Sequence, residues 1–297
     1  MNFITDISGY RPKVSQSEIA KIITAETSGT TGKEKRVYYT EEDLERTVEV
    51  FMQGISEMEP EKTLVTFPDT GPYSLGERIA EALSRLGAVA INPGKTWSYH
   101  KLVDIIFKNK PDSFIGFPQT LLALQRLTNG CFRAGLISGD YCINADYMCP
   151  VYPHYGSRET CLAGATSCRC RNGMHMRSDI DVEIIDENGG VLPAGETGEL
   201  VLTTHLKAMP LECYRTGDYT RIIPGDCSCG NKNVRIDSVS RHTPIEKLDD
   251  EMFADPKLID CEYYVENGEI KKNTVYIDDV SSLTVPFYRG KRILKIM

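Results

Sequence analysis

The chain has 297 residues, 41% of them hydrophobic, enough for one large or two moderate domains with real cores and incompatible with a disordered chain. Its 34 basic and 42 acidic side chains leave a formal charge of -8, so no global field draws nucleic acid or an anionic membrane, and a polyanionic ligand must be held by local groups. Ten cysteines are too few for a disulfide scaffold at this length, the first residues lack a basic region followed by an apolar run, and no apolar stretch approaches the roughly 18 residues of a membrane span; a soluble, reducing, cytoplasmic setting is the expectation.

Residues 1–23 form a lead-in with an apolar patch at Ile19-Ala20 and Ile22-Ile23. Thr27-Ser28-Gly29-Thr30-Thr31-Gly32-Lys33 then has the composition of a phosphate loop, with glycines that admit an anion close to the backbone and hydroxyls and a lysine that contact its oxygens. The nucleotide-hydrolase pattern fails at two positions, because Thr27 stands where the first glycine belongs and Glu34 where a magnesium-binding hydroxyl belongs. Arg36-Val37-Tyr38-Tyr39 reads as a strand. Thr40 with Asp43 reads as a capping box opening a helix whose apolar positions are Leu44, Val48, Phe51 and Ile55.

Strand-like Leu64–Phe67, Ala88–Ile91, Ser113–Gly116 and Ala134–Ile137 alternate with helices marked by Ile79 and Leu83, by Leu102 and Ile106, and by Leu121, Leu124 and Leu127. That alternation predicts crossover units and a mostly parallel sheet, with ligands beyond the strand C-termini, and it marks the turn Ser138-Gly139-Asp140. From about residue 161 the pattern becomes β-rich, with Val182–Ile185 and Gly198–Thr203 alternating around Asn188-Gly189. A helix near Ile245–Phe253 and strands near Glu262–Val265 and Thr274–Ile277 follow. The expected organisation is an α/β nucleotide-binding part over 1–160, a β-rich part over 161–240 and a small α+β C-terminal part over 241–297.

Two further stretches carry chemistry. Tyr155-Gly156-Ser157-Arg158-Glu159-Thr160 offers a ring that could stack on a base, a glycine for close backbone approach and a carboxylate suited to Mg2+. Tyr214-Arg215-Thr216-Gly217-Asp218 offers an acceptor-only carboxylate for paired hydroxyls, and Arg241 follows about two dozen residues later. Cys168-Arg169-Cys170, His175 and Cys227-Ser228-Cys229 supply three or more thiolates and an imidazole, enough for a tetrahedral zinc site, while buried cysteines acting as small hydrophobes are the plainer reading. Trp97 lines an acyl pocket or anchors a loop, and His154 sits in a pocket wall or packs as an ordinary imidazole.

In this order the three nucleotide elements resemble the adenylate-forming superfamily, and Met209-Pro210-Leu211 through Asp218, Arg221–Gly225 and Cys227–Gly230 resemble its phenylacetate-CoA ligase branch over roughly residues 16–242. The resemblance implies the adenylate-forming fold with a reduced C-terminal lid, and a site that converts ATP to AMP. It implies that Thr27–Lys33 hold the β- and γ-phosphates with Lys33 taking a catalytic part, that Glu159 binds Mg2+ and acts in catalysis, that Tyr155 and Ser138-Gly139-Asp140 meet the adenine, and that Gly156 lets the backbone approach the nucleotide. It further implies that Asp218 binds the ribose, Arg241 orients the lid and Lys291 neutralises the reacting carboxylate. It selects Cys168, His175, Cys227 and Cys229 as structural zinc ligands, and implies a small-molecule carboxylic acid and CoA as partners of a monomer or homodimer. The sequence departs from the pattern where Ser157-Arg158-Glu159-Thr160 exchanges its last two residues, where His242-Thr243-Pro244 stands in place of acidic residues, and where both ends are shorter than the family's; a binding-only or regulatory relative is therefore the alternative.

Overall fold

The computed structural model describes residues 3–7, 9–12, 14–15, 25–26, 36–69, 74–94, 97–278 and 295–296. Thr27–Lys33 and Lys291 therefore lie outside the described residues. The chain forms two compact units, each built from separated stretches: Met1–Glu57 with Pro153–Arg241, and Met58–Tyr152 with His242–Met297.

The first unit begins with a two-stranded antiparallel pair, β1 (Ala25–Glu26) and β2 (Arg36–Val37), and with helix α1 (Glu41–Ser56). The α1 N-terminus is closed by the expected capping box. Thr40 N donates to Asp43 Oδ2 at 2.8 Å, and Asp43 N donates to Thr40 Oγ1 at 3.2 Å. Leu44, Val48, Phe51 and Ile55 recur on one face and are all buried, each contributing about 1.5–3 kcal/mol. Asp43 itself is buried and also accepts from Lys207 N (2.7 Å) and Ala208 N (3.2 Å), so one carboxylate both caps the helix and fixes a distant loop.

The second unit carries the predicted alternation. Strands β3 (Lys62–Val65), β4 (Val89–Ile91), β5 (Ser113–Gly116) and β6 (Ala134–Ile137) run parallel in the order β4-β3-β5-β6. Helices α2 (Leu75–Arg85), α3 (Tyr99–Asn109) and α4 (Pro118–Thr128) intervene. Ser74 and Ser98 cap the first two, and Pro118 opens the third at a position whose missing N–H costs nothing. β5 and β6 are buried throughout, as strands covered on both faces must be. Trp97 belongs to this core beside Leu64, Leu102, Phe114 and Leu121, with its ring edge-on to Tyr99.

The chain then returns to the first unit and turns β-rich. The strands are β7 (Val151–Tyr155), β8 (Ala165–Ser167), β9 (Met174–Met176), β10 (Ile180–Ile185), β11 (Gly198–Thr204), β12 (Leu211–Thr220), β13 (Ile222–Ile223) and β14 (Arg235–Ile236). One antiparallel sheet is β10-β11-β12; a second set runs β7-β8-β9-β14-β13, antiparallel at each junction. They share a core of Tyr155, Ala165, Met174, Met176, Ile180, Leu200, Leu202 and Ile236.

In the second unit, α5 (Pro244–Phe253), β15 (Leu258–Glu266), β16 (Glu269–Tyr276) and β17 (Lys295–Ile296) complete the fold, with β15 central in its sheet. Phe253, Leu258, Cys261 and Tyr263 pack on Leu122 of α4 and on Ile143, and the Arg126 guanidinium donates to the carbonyls of Phe253 and Leu258. Among the described residues, no helix is long and apolar enough to cross a membrane.

Candidate functional site

Antiparallel β-structure brings together residues far apart in sequence. Tyr155 ends β7, and Tyr214 and Asp218 lie on the same long strand, β12. Residues Tyr219 and Ser240 exchange backbone hydrogen bonds of 2.7 and 3.0 Å, which sets Arg241 beside the end of β12. Tyr155 Oη donates to Asp218 Oδ2 at 2.9 Å, and Arg241 Nε donates to Asp218 Oδ1 at 2.7 Å. Tyr214 Oη donates to Glu159 Oε1 at 3.1 Å. The four candidates Tyr155, Glu159, Asp218 and Arg241 thus occupy one neighbourhood, and Tyr214, which the sequence supplied merely as a motif letter, connects to them through Glu159.

The electrostatics follow from burial plus fixed charge. Burial pushes the Tyr155 hydroxyl well above its ordinary range, and the Asp218 carboxylate it faces pushes it further. Burial does the same to Tyr214, with Glu159 adding. Both phenols are therefore donors, not phenolates. Burial alone would lower Arg241, but Asp218 outweighs it and the guanidinium is held more firmly charged. Tyr155 is buried among the apolar side chains of the sheet core, and its hydroxyl reaches out of that core to Asp218.

Two backbone devices shape the site. Gly217, at φ 72°, bends β12 just before Asp218, and Gly217 N donates to Glu199 Oε1 while Arg215 pairs with the same carboxylate. Gly156 follows β7; a methyl group there would sit 1.9 Å from the Leu162 carbonyl oxygen, so the close approach that glycine permits is made by the loop's own backbone. The loop closes through Leu162 N to Ser157 O (2.8 Å) and Gly164 N to Tyr155 O (2.9 Å), presenting Glu159 at its crest.

His154 lies one residue earlier, stacked on Phe51 with ring centroids 4.6 Å apart. Burial pushes its pKa down to about 3, so it is a neutral packed imidazole. In the second unit, Ser138-Gly139-Asp140 follows β6; Gly139 sits at φ 85° with the Phe117 ring where a Cβ would go, and Asp140 Oδ1 accepts from Tyr141 N at 2.9 Å.

The cysteines converge as well. Each Cys-x-Cys stretch is a turn closed by a backbone bond, Arg171 N to Cys168 O at 2.8 Å and Gly230 N to Cys227 O at 3.0 Å. The ligand atoms of Cys168, Cys170, Cys227 and Cys229 all lie within 4.8 Å of one another. Arg235 ties both turns down by donating to Asn172 O (3.0 Å) and Gly225 O (2.9 Å). His175 stands against the cluster, with Nε2 3.3 Å from Cys229 Sγ and Nδ1 3.4 Å from Asn233 O. Cys170, which the resemblance left out, is thus inside the group, and five donors compete for four tetrahedral positions. Burial, with neighbouring thiols adding, pushes Cys168 up to about 12, so thiolates at this density need a cation. The donor set fits zinc.

The chain is similar to proteins of known family. A family model described as AMP-binding enzyme matches residues 11–209. A phenylacetate-coenzyme A ligase of Pseudomonas putida is 29% identical over 235 residues, which is 71% of this chain and 53% of that protein. A phenylacetate-coenzyme A ligase of Thermus thermophilus is 41% identical over 76 residues, 25% of this chain and 17% of that protein. The chain therefore spans about half the length of the first relative, and less of the second. Among solved structures, a 2-hydroxyisobutyryl-CoA ligase in the postadenylation state superposes with a TM-score of 0.70 at 16% identity, covering 96% of this chain and 71% of that one. A benzoate CoA ligase from Burkholderia xenovorans gives 0.55 at 13% identity, covering 89% and 63%. At these identities the likeness concerns the fold.

Proposed function

The chain belongs to the AMP-binding enzyme family, and we propose that it binds ATP and activates a carboxylic acid as its acyl-adenylate, which CoA then captures as a thioester. A carboxylate oxygen attacks the α-phosphorus of ATP, the bond from that phosphorus to the bridging oxygen breaks, and pyrophosphate leaves. The CoA sulfur then attacks the acyl carbon and AMP departs with the electron pair of the broken C–O bond. Neither step requires a covalent enzyme intermediate, so the protein's work is positioning and charge neutralisation.

The carrying observation is the Tyr155–Asp218–Arg241 network. A buried carboxylate fixed from two sides, by a neutral phenol and by a guanidinium, is preorganised to accept the ribose hydroxyls through its remaining lone pairs. Glu159, steadied by Tyr214, would take Mg2+ together with phosphate oxygens, the ligands that ion prefers. In this reading Ser28, Thr30, Thr31 and Lys33 clasp the terminal phosphates. The thiol cluster would hold a structural zinc that knits the β8–β9 and β13–β14 turns, with no open position for chemistry. The acid is an acyl or aryl carboxylate; the two phenylacetate-coenzyme A ligases make an aryl acetate the first candidate.

A second reading, an ATP-binding relative without turnover, is favoured by His242-Thr243-Pro244 directly behind Arg241, where the pattern has acidic residues. Acid-dependent exchange of labelled pyrophosphate into ATP decides between them. A panel of aryl and alkyl acids that includes phenylacetate should yield AMP and pyrophosphate with at least one member. ATP binding without exchange for any acid establishes the second reading.

A further inference from the structure

The loop carrying Glu159 is held in a costly shape from behind. Cys161 (φ 53°) and Leu162 (φ 71°) are consecutive non-glycine residues in the left-handed region, a strained conformation that persists where the surroundings dictate it. Arg177 supplies that dictation. Its Nη1 donates to Thr160 O at 3.0 Å and to Ala163 O at 2.7 Å, the carbonyls on either side of the strained pair, and its backbone N donates to Gly164 O at 2.8 Å. Thr47 of α1 adds a bond from its hydroxyl to Cys161 O.

The guanidinium is in turn anchored. Its side chain is 4% exposed and its Nε pairs with Asp179 Oδ1, while Asp179 Oδ2 accepts from Arg46 Nη1 of α1 at 2.9 Å. A chain of charge runs from the rigid helix through Arg46, Asp179 and Arg177 into the carbonyls of the loop. None of these three side chains belongs to the nucleotide motifs in the sequence.

We infer that Arg177 is a positioning residue for Glu159. By straddling the left-handed pair it fixes the direction in which Thr160 follows Glu159, and hence where the carboxylate presents its oxygens. The inference rests on the reading of Glu159 as the Mg2+ ligand. A lysine at 177 would keep the charge but has one nitrogen where the planar guanidinium uses two, Nη1 on both carbonyls and Nε on Asp179. Arg46, partly exposed on α1, can be removed without opening the core and offers a milder perturbation of the same chain.

The test uses the full chain and the variants Arg177→Lys, Arg177→Met, Arg46→Ala and Glu159→Gln. ATP binding is followed by calorimetry at stepped Mg2+ concentrations, AMP binding is measured without Mg2+, and bound zinc is quantified in each protein. Arg177→Lys and Arg46→Ala are expected to bind AMP and zinc like the wild type while needing more Mg2+ for half-saturation of ATP binding. The shift is expected to be about tenfold for Arg177→Lys, the scale of lost outer-shell support for a metal ligand, and smaller for Arg46→Ala. Should Arg177→Met fail to fold, the other two variants decide. Unchanged Mg2+ dependence in the folded Arg177 variants, with Glu159→Gln shifted, would overturn the positioning role and leave the Glu159 reading intact. Unchanged Mg2+ dependence in Glu159→Gln removes the premise and the inference with it. Parallel loss of AMP affinity and Mg2+ response in every variant would reduce Arg177 to a structural staple.

Discussion

Arg241 Nε and Asp218 Oδ1 lie 2.7 Å apart, so a residue behind the β-rich part of the first unit supplies the countercharge for the carboxylate proposed to hold the ribose. Replacing Asp218 by Asn keeps the shape but leaves Arg241 beside a neutral amide. The expected outcome is a loss of about 1–3 kcal/mol in unfolding free energy, the worth of charge-assisted hydrogen bonds, and at least a tenfold weakening of AMP binding, about 1.4 kcal/mol. Denaturant unfolding and calorimetry read the two separately. AMP binding at wild-type strength in the folded variant would dissociate Asp218 from the nucleotide.

Gly156 is predicted to be intolerant of even one methyl group. Its Cβ would meet a backbone oxygen at 1.9 Å, and no rotamer change relieves that. Gly156→Ala should cost about 1–3 kcal/mol, typical of overpacking, and should displace the Glu159 loop. Thermal unfolding measures the first effect and the Mg2+ dependence of ATP binding the second. A variant with an unchanged midpoint would show that the loop relaxes freely.

Metal removal separates the five donors. Protein prepared without chelator should carry one zinc per chain, and Cys227→Ser or Cys229→Ser should abolish retention and lower the unfolding midpoint. Comparing Cys170→Ser with His175→Ala then identifies the fourth ligand, since the variant that retains zinc lacks a residue outside the coordination sphere. Full retention in both Cys227→Ser and Cys229→Ser would exclude a metal role for the cluster.

Acid sensitivity should originate at His154. Its folded pKa of about 3 lies below the ordinary histidine value of about 6.5, so the unfolded chain takes up the proton first. The stability this provides is complete above pH 6.5 and is lost as pH falls toward 3, by up to about 1.4 kcal/mol per pH unit. Asp112 and Asp179, whose folded pKa values are depressed, contribute stability that is present above about pH 4 and fades below it. The interval from 6.5 to 4 therefore belongs to histidine. Urea midpoints measured at pH 7, 6 and 5 should fall for the wild type and flatten in His154→Gln. Equal slopes would acquit His154.

What the sequence made legible was local. The four-residue recurrence of Leu44, Val48, Phe51 and Ile55 predicted α1 because burial acts on a helical face, and Thr40 with Asp43 announced its start because a capping box is completed within four residues. The parallel strands were readable because short apolar runs bounded by helices have few alternatives. Pairings across the chain were not. That the hydroxyl of Tyr155 reaches Asp218 depends on where β7 and β12 lie in their sheets, and no spacing records that. Tyr214 was visible as part of a motif but its attachment to Glu159 was not. Arg177 had no signal at all, since an arginine among polar residues looks solvated until two carbonyls are found beneath it. Cys170 was discounted on resemblance, whereas the turn that closes on Cys168 O carries it into the cluster.

The interleaving of the two units has a consequence during synthesis. When a growing chain has passed residue 152, the first unit possesses α1 but none of the strands that later bury it, and the second has its parallel sheet but not the Phe253, Leu258 and Tyr263 side chains that cover Leu122 and Ile143. Each unit must hold an apolar surface open while a stretch of the other is made, so neither can finish folding in the order in which it is translated. For this chain, the ribosome delivers the parts of both halves before it delivers the whole of either.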